Sequence, residues 1–177
     1  MAIYTVDVLN SKVAFSVRYL EFAKVRGHFT SFTCTIQTVN EKDILDNDVE
    51  IDIVIEVGSI NTNEPSRDQH LISADFFHAD LFPKIYFKKT NIEKMDATHF
   101  KLYGELQIKN ITNNIIFDVE AKTIEVNEPS LYNTIFYCKS KINRFDFNLV
   151  YGSSLENSPF FISKDIEVEV SFQLHSQ

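Results

Sequence analysis

Apolar and polar residues alternate one by one along most of this chain. Val13, Phe15, Val17 and Tyr19 share one side of a segment whose other side carries Lys12, Ser16 and Arg18. Val49, Ile51, Ile53, Ile55 and Val57 alternate with Glu50, Asp52 and Glu56. Phe100, Leu102, Leu106 and Ile108 repeat the pattern, as do Ile115, Phe117, Val119 and Ala121 against Asp118, Glu120 and Lys122. The last such segment is the most regular: Ile166, Val168, Val170, Phe172 and Leu174 against Glu167, Glu169 and Ser171. A period of two gives each strand one dry and one wet face, which is the antiparallel pattern rather than the continuous apolar run of buried parallel strands. Many such strands joined by short polar connections predict an all-β sandwich or barrel.

One segment breaks the rhythm. Ser66-Arg67-Asp68-Gln69-His70-Leu71-Ile72 places Gln three residues after Ser, the spacing of a capping box, and Pro83 closes the stretch from Asp75 to Phe82. A short helical segment near residues 66–77, packed on the barrel, is expected. Loops are expected around Glu128-Pro129-Ser130 and Gly152-Ser153-Ser154. With no linker, repeat or low-complexity tract, residues 1–177 read as a single domain.

Composition adds one unusual figure: 16 Phe and 7 Tyr with no Trp in 177 residues. That much ring surface either fills a core or lines a roomy apolar cavity. The net charge of −8, with Lys88-Lys89 as the only adjacent basic pair, argues against nucleic acid as a partner. No apolar run approaches the roughly 20 residues of a membrane span, so stable membrane insertion is not expected. The opening residues Met1-Ala2-Ile3-Tyr4-Thr5-Val6-Asp7 alternate like a strand rather than a signal peptide, and a cytoplasmic location is the expectation. Cys34 and Cys138 are far apart without zinc-like spacing and are expected to be buried free thiols.

Candidate chemistry is sparse. His28, His70, His78, His99 and His175 form no metal-type pair, so neither metal nor cofactor is expected. Asp68, His70, Asp75 and His78 are the one group that could converge, and they carry the rival reading of a metal- or His/Asp-dependent enzyme. No Gly-x-Ser-x-Gly elbow is present, and Gly27, Gly58, Gly104 and Gly152 are too isolated to cradle phosphate. Such strand glycines are expected at bulges or tight bends. Arg67-Asp68 with His70 is the best polar constellation. It reads either as head-group donors, Arg67 and His70, or as an Arg67–Asp68 ion pair bracing the helical segment, the second being favoured. Arg144 with Asp146 invites the same bracing role.

The broken segment and its flanks carry a resemblance. Ser59-Ile60-Asn61-Thr62, Arg67-Asp68-Gln69-His70-Leu71, Asp75-Phe76-Phe77 and Phe82-Pro83-Lys84-Ile85-Tyr86-Phe87 resemble the central signature of the YceI-like, polyisoprenoid-binding family. Val25-Arg26-Gly27-His28-Phe29, Gly104-Glu105-Leu106 with Thr112, and Ile142-Asn143-Arg144-Phe145-Asp146-Phe147 fall in the expected order. Tyr19, Gln107, Asn110 and Asn148 depart from residues common in the family. The resemblance implies an antiparallel lipocalin-like extended β-barrel with a long interior pocket and no catalytic centre. Isoprenoid or fatty chains are the implied ligands, and many relatives are periplasmic. The pocket is then expected to be lined by Phe15, Val17, Tyr19, Phe29, Phe32, Ile53, Ile55, Phe87, Leu106, Phe136 and Phe172, with Arg67 and His70 at the head group. A non-enzymatic carrier or sequestering protein for a long-chain apolar lipid is the expectation. The alternatives are the enzyme at 68–78 and a filled barrel acting as a dimeric interaction module; a homodimer is left open.

Overall fold

The alternating segments all join one antiparallel sheet. The computed structural model describes residues 2–20, 23–38, 45–123, 134–152 and 162–175. Among them the strands are β1 (Ala2–Val6), β2 (Lys12–Tyr19), β3 (Ala23–Phe29), β4 (Phe32–Thr38), β5 (Glu50–Glu56) and β6 (Ile60–Asn61), followed by β7 (Lys84–Lys94), β8 (His99–Ile108), β9 (Ile111–Thr123), β10 (Thr134–Asn143) and β11 (Ile162–His175). They hydrogen-bond in the order β1-β4-β5-β7-β8-β9-β10-β11-β2-β3-β6. β11 is long enough to serve two neighbours on one edge. Its residues Ile162–Ser171 pair with β2, while Leu174 and His175 pair with Val6 and Thr5 of β1. The sheet therefore curls into a half-barrel whose margins meet through β1. This is the lipocalin-like barrel that the resemblance implied, and one of the two architectures, sandwich or barrel, that the alternation allowed.

The faces follow the sequence pattern. On β8, Phe100, Leu102, Gly104, Leu106 and Ile108 are buried while His99 and Glu105 are exposed. One irregularity in the ladder adjoins a strand glycine, between the pairs Lys89–Gly104 and Asn91–Tyr103, as expected; the other falls between Ile162 and Ile166, away from the strand glycines. Gly27 and Gly104 also mark places where a ring lies against the backbone. A Cβ on Gly104 would stand 2.3 Å from the Phe87 ring, and one on Gly27 would stand 2.4 Å from the Phe15 ring.

The helical segment is α1 (Pro65–Ile72), shorter than the expected 66–77 and started differently. Pro65 occupies its first turn, where a missing N–H costs nothing, and Glu64 is the N-cap. Ser66 is inside the helix, with its hydroxyl donating to the Glu64 carboxylate at 2.8 Å, so the capping box does not form. After Ile72 the chain continues in turns, with the Phe77 N–H donating to the Leu71 carbonyl at 3.0 Å. These turns press Leu71, Ile72 and Phe77 against the core. The loops expected at 128–130 and 153–154 lie outside the described residues.

The interior is uneven along its length. At one end it is filled: Phe136 stacks on Phe172 at 4.9 Å and Phe87 meets Phe117 edge-on at 5.6 Å. Cys34 and Cys138 are buried there as free thiols. Burial pushes the Cys34 thiol up to about 12 and the Cys138 thiol up as well. The other end, beneath α1, is hollow.

Candidate functional site

The hollow end is a cavity of about 370 Å³, within the range of small-molecule sites. Strand register builds its main wall. Phe15, Val17 and Tyr19 of β2 stand opposite Val168, Ile166 and Ile162 of β11, and on the other side Val17 faces Val25 of β3. Val13 and Phe29, also partners across β2 and β3, continue this wall. Ile55, Ile85, Leu106, Ile108 and Ile142 come from the opposite strands, and Leu71, Phe76 and Phe77 roof it from the helical segment. Phe15, Val17, Ile166 and Val168 are only half-buried although they face inward. They border the cavity, and Phe15, Ile166 and Val168 are packed only in part against the core.

A polar cluster stands at one part of this wall. Arg67 donates from Nε to Thr62 Oγ1 at 2.8 Å and from Nη2 to the Thr62 carbonyl at 2.9 Å. Asp68 Oδ1 accepts from the Thr62 N–H at 2.9 Å and from the Thr62 hydroxyl. The expected Arg67–Asp68 ion pair is thus absent: both side chains converge on buried Thr62 and tie α1 to the residue after β6. His70 Nε2 lies 2.8 Å from Asp75 Oδ2, and its ring packs edge-on against Phe76 at 5.1 Å and Tyr151 at 4.7 Å.

Arg144 corrects a second expected pair. It does not bond Asp146, whose backbone carbonyl instead accepts from Asn113. Arg144 is buried and donates to four backbone carbonyls: Ser163 at 2.9 Å, Leu149 at 2.5 Å, Tyr151 at 2.9 Å and Ile162 at 3.2 Å. Burial pulls its pKa below the usual guanidinium value.

Of the residues expected at the pocket, Phe15, Val17, Tyr19, Phe29, Ile55 and Leu106 line the cavity, together with Arg67 and His70. Phe32, Ile53, Phe87, Phe136 and Phe172 do not border it; they belong to the apolar core outside the hollow. Alternation identifies the inward face of a strand but not the height along it, and the hollow occupies one end only. Sequence reasoning missed Phe76, Phe77, Tyr151 and the inward Arg144. For Ile166 and Val168 the signal was present in the last alternating segment.

The four groups of the rival enzyme reading do not converge; of them only His70 and Asp75 meet. Asp68 bonds Thr62, His70 meets Asp75, and the His78 ring lies 6.1 Å from Phe82. Among the described residues no three His, Cys, Asp or Glu side chains gather as a metal-ligand set. No described helix is long and apolar enough to cross a membrane.

Comparison with known proteins bears on this geometry. The YceI-like domain matches residues 4–174. A UPF0312 protein of Staphylococcus aureus strain N315 is 34% identical over 173 residues, covering 97% of this chain and 96% of that protein. Burkholderia cenocepacia BcnA superposes with a TM-score of 0.79 at 17% identity, covering 97% of this chain and 99% of that one. A polyisoprenoid-binding domain from Saccharophagus degradans superposes with a TM-score of 0.71 at 15% identity, covering 98% of each chain. This chain belongs to the YceI-like family.

Proposed function

We propose that this protein binds the alkyl or isoprenoid chain of a lipid in the cavity beneath α1, as a carrier or sequestering protein without chemistry of its own. The observation that carries this reading is the wall of half-buried apolar side chains around about 370 Å³ of space. Inward residues that are packed on one side only keep apolar surface open to the cavity, and a hydrocarbon chain completes their burial. Each CH₂ taken from water contributes about 0.8 kcal/mol, so affinity grows with chain length until the space is full. The fold it shares with a polyisoprenoid-binding domain supports the same class of ligand.

Displacement of a fluorescent lipid by a length series of fatty and isoprenoid compounds tests this. Affinity is expected to rise with length and then level off, and Val17→Trp, which narrows the tube, is expected to exclude the longest members selectively. Native mass spectrometry of protein purified without detergent should show a co-purifying lipid. Binding that ignores chain length, or no binding after delipidation, overturns the reading.

A further inference from the structure

Among the described residues, no acidic side chain stands on the cavity wall. Arg67, His70 and Arg144 line it and no described Asp or Glu does, in a chain whose net charge is −8. These residues adjoin. Arg67 and His70 stand one turn apart on α1, His70 packs on the Tyr151 ring, and the Tyr151 carbonyl accepts from Arg144. The neighbouring carboxylate, Asp75, is exposed, is held by His70 and does not border the cavity.

The donor inventory is not exhausted by the protein. A guanidinium has five N–H groups. In Arg144 four meet backbone carbonyls, leaving one on Nη2 without an acceptor among the described residues. Arg67 spends Nε and one Nη2 donor on Thr62, and its Nη1 meets no acceptor among the described residues. Among the described residues none of the groups bonded to Arg144 is a carboxylate, so its charge is buried there without a counter-ion in hydrogen-bond contact. A buried cation left this way is costly, and an anionic oxygen would supply both opposite charge and the missing acceptors.

We infer that the polar part of the cavity recognises an anionic oxygen head, carboxylate or phosphate, at the end of the apolar chain, with Arg144 and Arg67 as its donors. A cationic head on the same chain is rejected. The inference rests on the lipid-binding reading and adds its polarity.

The test uses the delipidated full chain and a neutral fluorescent lipid, displaced by 16-carbon chains ending in carboxylate, phosphate, hydroxyl or ammonium. The carboxylate or the phosphate is expected to bind at least tenfold more tightly than the alcohol, and the amine more weakly still. Which of the two anions is tighter identifies the head. Arg67→Gln should shrink the gap between anion and alcohol, as should Arg144→Lys, which keeps the charge but loses the planar fork. Equal affinity across the four heads, or tightest binding of the amine, overturns the inference while leaving lipid binding intact. Failure of all four to bind would instead bring down the lipid-binding reading itself. The wild-type series alone decides the matter should either variant not fold.

Discussion

The same substitution, glycine to alanine, should have opposite consequences at the two ends of the barrel. At Gly104 the new Cβ would stand 2.3 Å from two atoms of the Phe87 ring and 2.7 Å from the Lys88 carbonyl oxygen. Phe87 is 4% exposed and packed against Phe117, and the oxygen belongs to the backbone of a paired strand, so neither can yield locally. Overpacking of this kind costs about 1–3 kcal/mol, and the rigid surroundings put Gly104→Ala at about 3. For a chain of this size that lowers Tm by about 6–12 °C.

At Gly27 the close atoms are Phe15 Cζ at 2.4 Å, Phe15 Cε1 at 2.9 Å and Thr62 Cγ2 at 2.9 Å. Phe15 is half-buried and borders the cavity, so its ring can swing into open space. Alanine in a strand also recovers about 0.5–1 kcal/mol of backbone entropy relative to glycine. Gly27→Ala should therefore change stability by about 1 kcal/mol or less, yet lower affinity for the longest ligands about tenfold by filling their space. Thermal melts and lipid displacement on the two variants check both halves. Equal destabilisation at the two sites would refute the division into a filled and a hollow end, as would unchanged long-chain binding by Gly27→Ala.

Other changes rest on the same contacts. Asp68→Ala removes the oxygen that accepts from both the amide and the hydroxyl of buried Thr62 and should cost about 1–3 kcal/mol in urea unfolding; a wild-type midpoint would show that the tie is not formed. Arg144→Met leaves four carbonyls without their donor and should cost more than Asp68→Ala, measured the same way. Both thiols should resist thiol reagents until the protein unfolds, since burial keeps them protonated. A thiol raised in the fold from 9.0 to about 12 contributes its stability below pH 9 and loses it as pH rises toward 12. Cys34→Val should therefore flatten the alkaline fall in Tm, and an unchanged fall would count against that burial.

Strands β2, β5, β8, β9 and β11 were legible because each carries its own evidence: a dry face beside a wet one, repeated over five or more residues. The helix was legible as an interruption, but its start was not. Ser66 offers capping-box spacing to Gln69, yet Pro65 fits the first helical turn so well that the helix begins one residue earlier and the Ser66 hydroxyl turns back to Glu64. The charged pairs misled for a related reason. Arg67 beside Asp68, and Arg144 two residues from Asp146, suggest ion pairs when read in one dimension. In the fold Thr62 stands between Arg67 and Asp68 and bonds both, while backbone carbonyls take the Arg144 donors in place of Asp146. Arg144 shows this best: its four acceptors are carbonyls from residues up to 19 positions away, which no local pattern announces.

Thr62 explains why the polar segment and the apolar cavity belong to one device. Its amide and hydroxyl hold Asp68, and its hydroxyl and carbonyl hold Arg67, so the orientation of α1 depends on it. Its methyl group stands 2.9 Å from where a Gly27 Cβ would be, on the spot that the Phe15 ring also crowds. In Gly27→Ala the new Cβ would therefore meet both the Phe15 wall and the residue that anchors the helix bearing Arg67 and His70. Groups sharing such a contact do not contribute independently to stability. Asp68→Ala should accordingly relieve part of the crowding that Gly27→Ala creates, making the double variant more stable than the sum of the two single losses. Strict additivity in a double-mutant cycle would mean that helix and wall are separate parts.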